Sequence, residues 1–276
     1  MAKKSTPAPP ETTTTDDGAI TGNVLFYTNP EPLSREMHGK LGVGRVDKPF
    51  GFARAGHVVP LTVAEFGLAA LAYPIIFAGD QKQPLAVMGL AAGQNLFVTD
   101  DGGFEVGAYI PAYIRRYPFV LANDETQQRM IVCIERSAEI FREDGAEMAL
   151  FDDKGEPSEY TQNAIKFCED FETERRRTEQ FVNLITELDL WETKRAMFTP
   201  NLANGQQGEP QLIADYFGIA EEKLRAIPAE KLVELRDSGA LEKIYNHLSS
   251  LVGWDRLIAI ASARQAKLAP IAANIQ

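Results

Sequence analysis

The spacing of apolar residues changes once along this chain, near residue 157, and this change constrains the fold more than any other feature. Before it, short apolar runs are separated by Gly, Pro and Asp turn signals, as in antiparallel strands and hairpins. After it, apolar residues recur at helical intervals from residue 157 to residue 190. Because the strands follow one another and do not alternate with long helices, the sequence predicts an α+β fold.

Three parts are therefore predicted along the 276 residues. Residues 1–22 are rich in Pro, Thr and charge, and we expect a disordered tail because they carry little apolar surface to bury. Residues 23–156 are expected to form an antiparallel, β-rich unit with short helices. Residues 157–276 are expected to form a long helix and a helical C-terminal unit, which either packs on the first unit or forms one integrated domain with it.

Local signals predict several elements of the first unit. Two hairpins are predicted, with turns at Gly79–Gln83 and Asn123–Thr126, because apolar runs flank turn residues at both places. A strand is predicted at Asn95–Thr99. Thr62 and Glu65 have the spacing of a capping box, which predicts that a short helix begins there.

The predicted long helix carries the charged run EDFETERRRTEQ, residues 169–180. Its acidic and basic residues stand three or four positions apart, so we expect a solvated helix face with weak ion pairs. A basic recognition helix is the alternative. Beyond the long helix, WETKRAMFTP and EPQLIADYFGI predict two strands, and three helices are expected to follow them.

Composition argues against several classes of function. The formal net charge of −11 disfavours binding to nucleic-acid phosphates and docking on anionic lipid. Cys133 and Cys168 form no CxxC, and the three histidines form no HxH or HExxH, so neither a metal site nor a cofactor is predicted. Two buried thiols are favoured over one disulfide. The GxG at Gly42–Gly44 precedes no convincing helix and is a poor phosphate cradle.

The sequence also bears on location and catalysis. No run of about twenty apolar residues occurs, so no membrane span is expected. The first residues lack the apolar region of a secretory signal, so we expect a cytoplasmic protein, with export by a partner left open. His247 is interpreted as a packed helix residue, because Ser249 lies two positions away on a different helix face. No GxSxG elbow is present.

The densest cluster of aromatic and basic residues is YIPAYIRRYPF, residues 109–119. An arginine beside tyrosines suits recognition of a carboxylate, a phosphate or a peptide terminus. Alternatively, the rings belong to the core and an arginine pairs with a nearby acid. In a short helix, the two arginines point about 100° apart, so at most one would face a pocket. The candidate binding residues are Glu65, Tyr73, Tyr109, Arg115, Arg116 and Tyr117.

Three segments together resemble the bacterial SapC family, which is named for a gene in a surface-layer protein locus. The segments are HVVPLTVAEFGLAALAYPIIF (57–77), LAVMGLAAGQNLFVTDDGGFEVGAYIPAYIRRYPFVLA (85–122) and LVELRDSGALEKIYNHLSSL (232–251). The resemblance implies a link to surface-layer or cell-envelope proteins and brings no agreed catalytic residues. A GLYRVDE-like stretch of many relatives is replaced here by DYFGIAEEKL, Asp215–Leu224.

Three hypotheses for the function follow. The favoured one is a non-enzymatic protein- or peptide-binding accessory in the assembly, export or modification of surface proteins, with a groove near Tyr73, Tyr109 and Arg115. The second is an enzyme or enzyme subunit acting on peptides, whose arginines would meet Glu65 or Asp101 in a buried pocket. The third is a structural protein that forms homo-oligomers through an exposed apolar face of residues 160–190.

Overall fold

The computed structural model describes part of the chain, and most of the predicted tail lies outside it. The backbone is described for residues 13–14, 20–21, 24–124, 129–199 and 207–273. Side chains are described for residues 24–123, 129–199 and 207–264.

The described residues form short strands, short helices and one long helix. The strands are β1 (Thr13–Thr14), β2 (Ile20–Thr21), β3 (Pro30–Pro32), β4 (Gly42–Val43), β5 (Val58–Pro60), β6 (Ile75–Ala78), β7 (Gln83–Val87), β8 (Phe119–Asp124), β9 (Arg129–Glu135), β10 (Phe141–Arg142), β11 (Met148–Ala149), β12 (Trp191–Phe198) and β13 (Gln211–Ile219). The helices are α1 (Arg35–His38), α2 (Phe66–Ala69), α3 (Ala112–Arg115), α4 (Glu159–Glu187), α5 (Glu221–Ala226), α6 (Ala229–Asp237), α7 (Ala240–Ser250) and α8 (Gly253–Ala273). Two 3-10 turns span Gly51–Ala53 and Val63–Glu65.

The strands form three sheets, and the predicted α+β fold is confirmed. The sheet orders are β2-β1-β8-β9-β3, β10-β4-β11 and β12-β13-β6-β7-β5. Every pairing is antiparallel except that of β1 with β8. Both predicted hairpins are present, as β6–β7 and β8–β9, although residues 125–128 at the second tip lie outside the described residues. The two strands predicted after the long helix pair with each other as β12 and β13.

Helix α4 begins at a side-chain cap and lays one face on the core. The Ser158 hydroxyl accepts a hydrogen bond from the Thr161 amide at 3.3 Å, which satisfies one of the free amides of the first turn. Buried residues at helical spacing include Cys168, Phe171 and Ile185. Residues 160–190, which the structure describes throughout, carry no exposed large apolar side chain. The exposed apolar face that would favour the oligomer hypothesis is therefore absent from residues 160–190.

The main core takes residues from both predicted units, running from Val24 to Leu257. His247 of α7 is fully buried and joins two strands to it. Its Nε2 accepts the Ile219 amide at 3.1 Å, so its Nδ1 carries the proton and donates to the Ile75 carbonyl at 2.9 Å. The interpretation of His247 as a packed residue is confirmed. The division into units at residue 157 stays a prediction.

Two predicted elements are wrong. Residues 95–99 form turns with a single bridge, Val98 to Phe104, and no strand. The buried Asn95 side chain accepts the Phe97 amide at 2.9 Å, and such a local bond competes with a strand ladder. Three helices are predicted after the pair of strands, but the described part of the chain has four, because the stretch predicted as the last helix forms α7 and α8. At the start of α8, a Cβ on Gly253 would lie 3.1 Å from the Pro74 nitrogen, so α8 begins where the chain passes close to another backbone segment.

None of the helices in the described part of the chain combines the length and the apolar character that crossing a bilayer requires.

Candidate functional site

The stretch of residues 109–119 folds as one helical turn, α3, followed directly by β8. Pro111 stands at the N-cap of α3, where its missing amide costs no helical hydrogen bond. The Arg116 amide donates to the Ala112 carbonyl at 3.0 Å, and the Phe119 amide donates to the Arg116 carbonyl at 2.8 Å. The Tyr117–Pro118 peptide bond is cis. As predicted from helical geometry, the two arginines separate, since Arg116 is buried and Arg115 is exposed.

The buried carboxylate of Glu65 holds this turn to the 3-10 turn Val63–Glu65. Its Oε2 accepts the Thr62 amide at 2.8 Å and the Thr62 hydroxyl at 2.9 Å. Its Oε1 accepts the Ala112 amide at 2.6 Å and the Tyr109 hydroxyl at 3.0 Å. The predicted capping box is confirmed. Since four hydrogen bonds fill the acceptor capacity of a carboxylate, Glu65 positions the turn.

Two tyrosines of the motif extend this network. The fully buried Tyr73 donates its hydroxyl hydrogen to the Tyr109 carbonyl at 2.5 Å. Burial and the negative charge of Glu65 raise the pKa of Tyr109 to about 12. The Tyr109 phenol therefore stays neutral near pH 7, donates to Glu65 and accepts from Arg115.

Arg115 is exposed and is held by neutral groups. Its Nε donates to the Ile110 carbonyl at 3.0 Å, and its Nη2 donates to the Tyr109 hydroxyl at 3.0 Å. Its guanidinium carbon lies 5.6 Å from the ring centre of Tyr109 and 5.1 Å from that of Phe167. These contacts fix the direction of the guanidinium without neutralising its charge.

Arg116 is only 8% exposed and lies among aromatic rings. Its guanidinium carbon is 4.0 Å from the ring centre of Tyr113, 4.7 Å from that of Phe171 on α4 and 5.9 Å from that of Tyr27. Its Nε has no hydrogen-bond partner among the described residues. The guanidinium is therefore stabilised mainly by ring faces, and it ties α3 to the long helix.

A cleft of about 500 Å³ opens beside the motif. Its aromatic wall is a stacked pair, in which the rings of Phe52 and Tyr117 lie 3.8 Å apart at 13°. Burial, followed by the negative charge of Glu135, raises the pKa of Tyr117 to about 12, so its phenol is neutral. The lining residues are Val46, Lys48, Pro49, Phe50, Gly51, Phe52, Arg54, Ile114, Arg115, Tyr117, Pro118, Ser137, Glu139 and Ile140.

The cleft includes two of the six candidate residues, Arg115 and Tyr117. Glu65, Tyr73 and Tyr109 do not line it, but they position Arg115 through the network described above. Arg116 also does not line it and packs against Phe171 instead. Of Tyr73, Tyr109 and Arg115, near which the groove was predicted, Arg115 alone lines the observed cleft.

Sequence reasoning missed the second wall of the cleft, which comes from residues 46–54. Every second position from residue 48 to residue 54 carries a cation or an aromatic ring, in the order Lys48, Phe50, Phe52 and Arg54. The 3-10 turn Gly51–Ala53 and a hydrogen bond from the Phe50 amide to the Gly102 carbonyl at 2.9 Å hold this wall in place. This clustering of cations and aromatic rings at every second position was the signal that could have found it.

The arrangement that the enzyme hypothesis requires is absent from the described residues. No ion pair joins Arg115 or Arg116 to Glu65 or Asp101 in the part of the chain that the structure describes. Asp101 is exposed and accepts hydrogen bonds from the Thr99 hydroxyl and the Gly103 amide, which lower its pKa. It acts as a turn residue.

In the described residues, neither the cysteines nor the residue types that commonly bind metals provide further chemistry. Cys133 and Cys168 are free and buried, and burial raises their pKa values to about 12 and about 11. Both thiols are therefore protonated and unreactive near pH 7. Across the described ranges, no three His, Cys, Asp or Glu side chains are grouped so that they could hold a metal ion.

Comparison with known proteins gives one match. The sequence model of the SapC family matches residues 33–257. This chain belongs to the SapC family. The match covers most of the chain and contains α3, Glu65 and every residue that lines the cleft, so these features belong to the SapC part of the protein. No curated protein and no solved structure matches the chain.

Proposed function

We propose that this SapC protein is a non-enzymatic accessory that binds a peptide segment of a surface-layer or other cell-envelope protein during assembly, export or modification. The cleft beside Arg115 is the observation that carries the proposal. Its volume of about 500 Å³ lies in the range of ligand sites, and aromatic and apolar walls with a few polar groups are typical of such sites.

The organisation of the cleft supports binding over catalysis. Arg115 is oriented by a carbonyl, a phenol and two rings, which is how a recognition residue is held ready for a ligand. The carboxylate nearest to it in this network, Glu65, is saturated with hydrogen bonds. The link to the surface layer rests on family membership alone. A cytoplasmic location and a homo-oligomer stay predictions.

The first test is selection of peptides that bind the full chain, followed by measurement of their affinity. A random peptide display library is selected against the wild-type protein, and the tightest peptides are titrated by fluorescence polarisation. We expect Arg115→Ala to weaken them about tenfold, which corresponds to about 1.4 kcal/mol. The matched control is Arg177→Ala on α4, where the arginine is exposed and lies outside the cleft.

Circular dichroism and urea unfolding establish that both variants keep the fold. Recovery of no specific peptide, or equal binding by wild type and Arg115→Ala, would contradict the proposal. A change with Arg177→Ala equal to that with Arg115→Ala would place binding elsewhere on the molecule.

A further inference from the structure

The three cations that line the cleft keep their charge largely unpaired. The Lys48 side chain has no hydrogen bond and no ion pair among the described residues, although its carbonyl accepts the Gly51 amide. The partners that the described ranges give Arg115 are all neutral groups. Arg54 donates to the carbonyls of Thr99 and Asp100 at 2.9 and 3.2 Å. Its single carboxylate contact in the described part of the chain is Asp100 Oδ1 at 3.9 Å, and that side chain is fully exposed.

These three cations stand together on an acidic chain. The protein has 39 Asp and Glu against 28 Lys and Arg, so carboxylates outnumber cations. On α4, for example, Arg175 and Arg177 pair with Glu172 and Glu174 at close distance. Three cations that line one cleft, with a single long contact to an exposed carboxylate among them, therefore form a local positive surface on a negative molecule.

The other residues that line the cleft indicate what kind of ligand would carry the negative charge that these cations bind. Glu139 is the single acid among them, so the cations are in excess. The stacked rings of Phe52 and Tyr117, with Pro49 and Pro118, provide rigid apolar surface beside the charges. A ligand that uses both surfaces carries an apolar or aromatic group next to its negative charge.

Arg115 has the donors for such a ligand. A guanidinium has five N–H donors, and here Nε–H and one hydrogen on Nη2 are engaged. Both Nη1 hydrogens and the second Nη2 hydrogen have no partner among the described residues. Adjacent donors on the two terminal nitrogens match the two oxygens of a carboxylate.

Building on the proposed binding function, we infer that the cleft selects an acidic peptide segment, in which Asp or Glu side chains stand beside an apolar or aromatic residue. The carboxylates contact Lys48, Arg54 and Arg115, and the apolar residue packs on the Phe52–Tyr117 pair. The protein thereby recognises an acidic segment although its own net charge of −11 repels one. The cationic patch at the cleft overcomes that repulsion locally.

The test uses the peptides recovered by display against the wild-type full chain. We expect the recovered peptides to be enriched in Asp and Glu relative to the library. Non-specific attraction to an acidic protein would enrich Lys and Arg instead, so the sign of the enrichment is informative. Replacing every Asp and Glu of the tightest peptide by Asn and Gln is expected to weaken binding at least about tenfold.

Substitutions in the protein test whether the cations of the cleft bind the acidic peptide. Lys48→Gln with Arg54→Gln is expected to weaken the acidic peptide about tenfold or more and to leave its amide version unchanged. The control is Lys166→Gln, which removes an exposed cation that already pairs with Asp170 on α4. Urea unfolding confirms that the variants are folded.

The outcomes separate the inference from the function on which it rests. Peptides that bind specifically but lack acidic enrichment, or that bind equally as amides, would overturn the acidic-segment inference and leave peptide binding intact. Failure to recover any specific peptide would overturn the proposed function itself. Displacement of the acidic peptide by micromolar inorganic phosphate would assign the cations to a phosphorylated ligand, which also contradicts the inference.

Discussion

Two regions of this protein place arginines close together, but the interaction partners of these arginines differ. On α4, Arg175 and Arg177 pair with Glu172 and Glu174 three residues earlier, on a solvated helix face. In the turn before β8, Arg115 and Arg116 contact carbonyls, hydroxyls and aromatic rings. Phe171 of α4 belongs to both regions, because its ring lies against Arg116.

The difference lies in where the partners come from. The partners on α4 are set by helical spacing, and exposed pairs of this kind contribute a few tenths of a kcal/mol each. The turn is held by Glu65, 47 residues before the Ala112 amide that it binds. Such contacts are desolvated and form only in the folded protein, so removing one leaves unsatisfied groups.

The largest expected difference between the two regions comes from their carboxylates. Glu65→Gln keeps the shape of the side chain but brings an NH₂ group against either the Thr62 amide or the Ala112 amide, both of which are donors. We expect the free energy of unfolding to fall by about 4 kcal/mol, because charge-assisted hydrogen bonds are lost and buried donors are left unpaired. Urea unfolding at neutral pH measures the change.

The control for this substitution is Glu179→Gln on α4, where the carboxylate pairs with Arg175 and is exposed. Its effect is expected to stay within about 0.5 kcal/mol. If the two substitutions had equal effects, the distinction between buried and solvated carboxylates would be wrong.

His247 extends the comparison to a buried group that titrates. Burial lowers its pKa in the folded protein to about 4, from an ordinary value of 6.5. As the pH falls below 6.5, the unfolded chain takes up a proton that the folded protein does not. The stability that the neutral histidine contributes is therefore fully present above pH 6.5. Between pH 6.5 and pH 4 this contribution declines by about 1.4 kcal/mol per pH unit, which is about 3 kcal/mol in all.

Urea titrations of wild type and His247→Gln at pH 7, 6 and 5 measure this dependence. The variant is expected to be less stable at pH 7 and to have the shallower dependence on pH. Burial also lowers the pKa of His57, so some dependence remains in both proteins. Identical slopes in the two proteins would show that His247 does not control the acid side of the stability curve.

The smallest expected difference is between two arginines. Arg116→Ala is expected to lower the free energy of unfolding by about 2 kcal/mol, because it removes the ring contacts with Tyr113 and Phe171 and leaves space between them. Arg177→Ala is expected to stay within about 0.5 kcal/mol. Thermal unfolding of both variants measures the two changes. A loss of stability for Arg177→Ala as large as that for Arg116→Ala would contradict the prediction.

Much of the fold could be predicted because its signals are local. The two hairpins have turn residues between apolar runs, and the long helix has a cap and a regular apolar spacing. The ion pairs on α4 and the Thr62–Glu65 capping box depend on spacings of three or four residues. The strand predicted at Asn95–Thr99 failed because the Asn95 side chain bonds the backbone locally.

Part of the candidate site could also be predicted, because some of its signals are local. The motif that contains Arg115 and Tyr117 is visible in the sequence, and helical geometry predicted that its two arginines diverge. The opposite wall, including Phe52 and Arg54, comes from a segment without regular periodicity. Its place beside Tyr117 depends on contacts between residues more than fifty positions apart, which no local pattern encodes.

The amino-acid order by itself determined the α+β class, the position of the long helix and the two clusters of arginines. Only the tertiary structure decided that Arg116 is buried against Phe171, that Glu65 is saturated, and that Lys48 and Arg54 join Arg115 at one cleft. The reason is physical. Periodicity and capping act over a few residues, whereas burial and charge pairing depend on which distant segments the fold brings into contact.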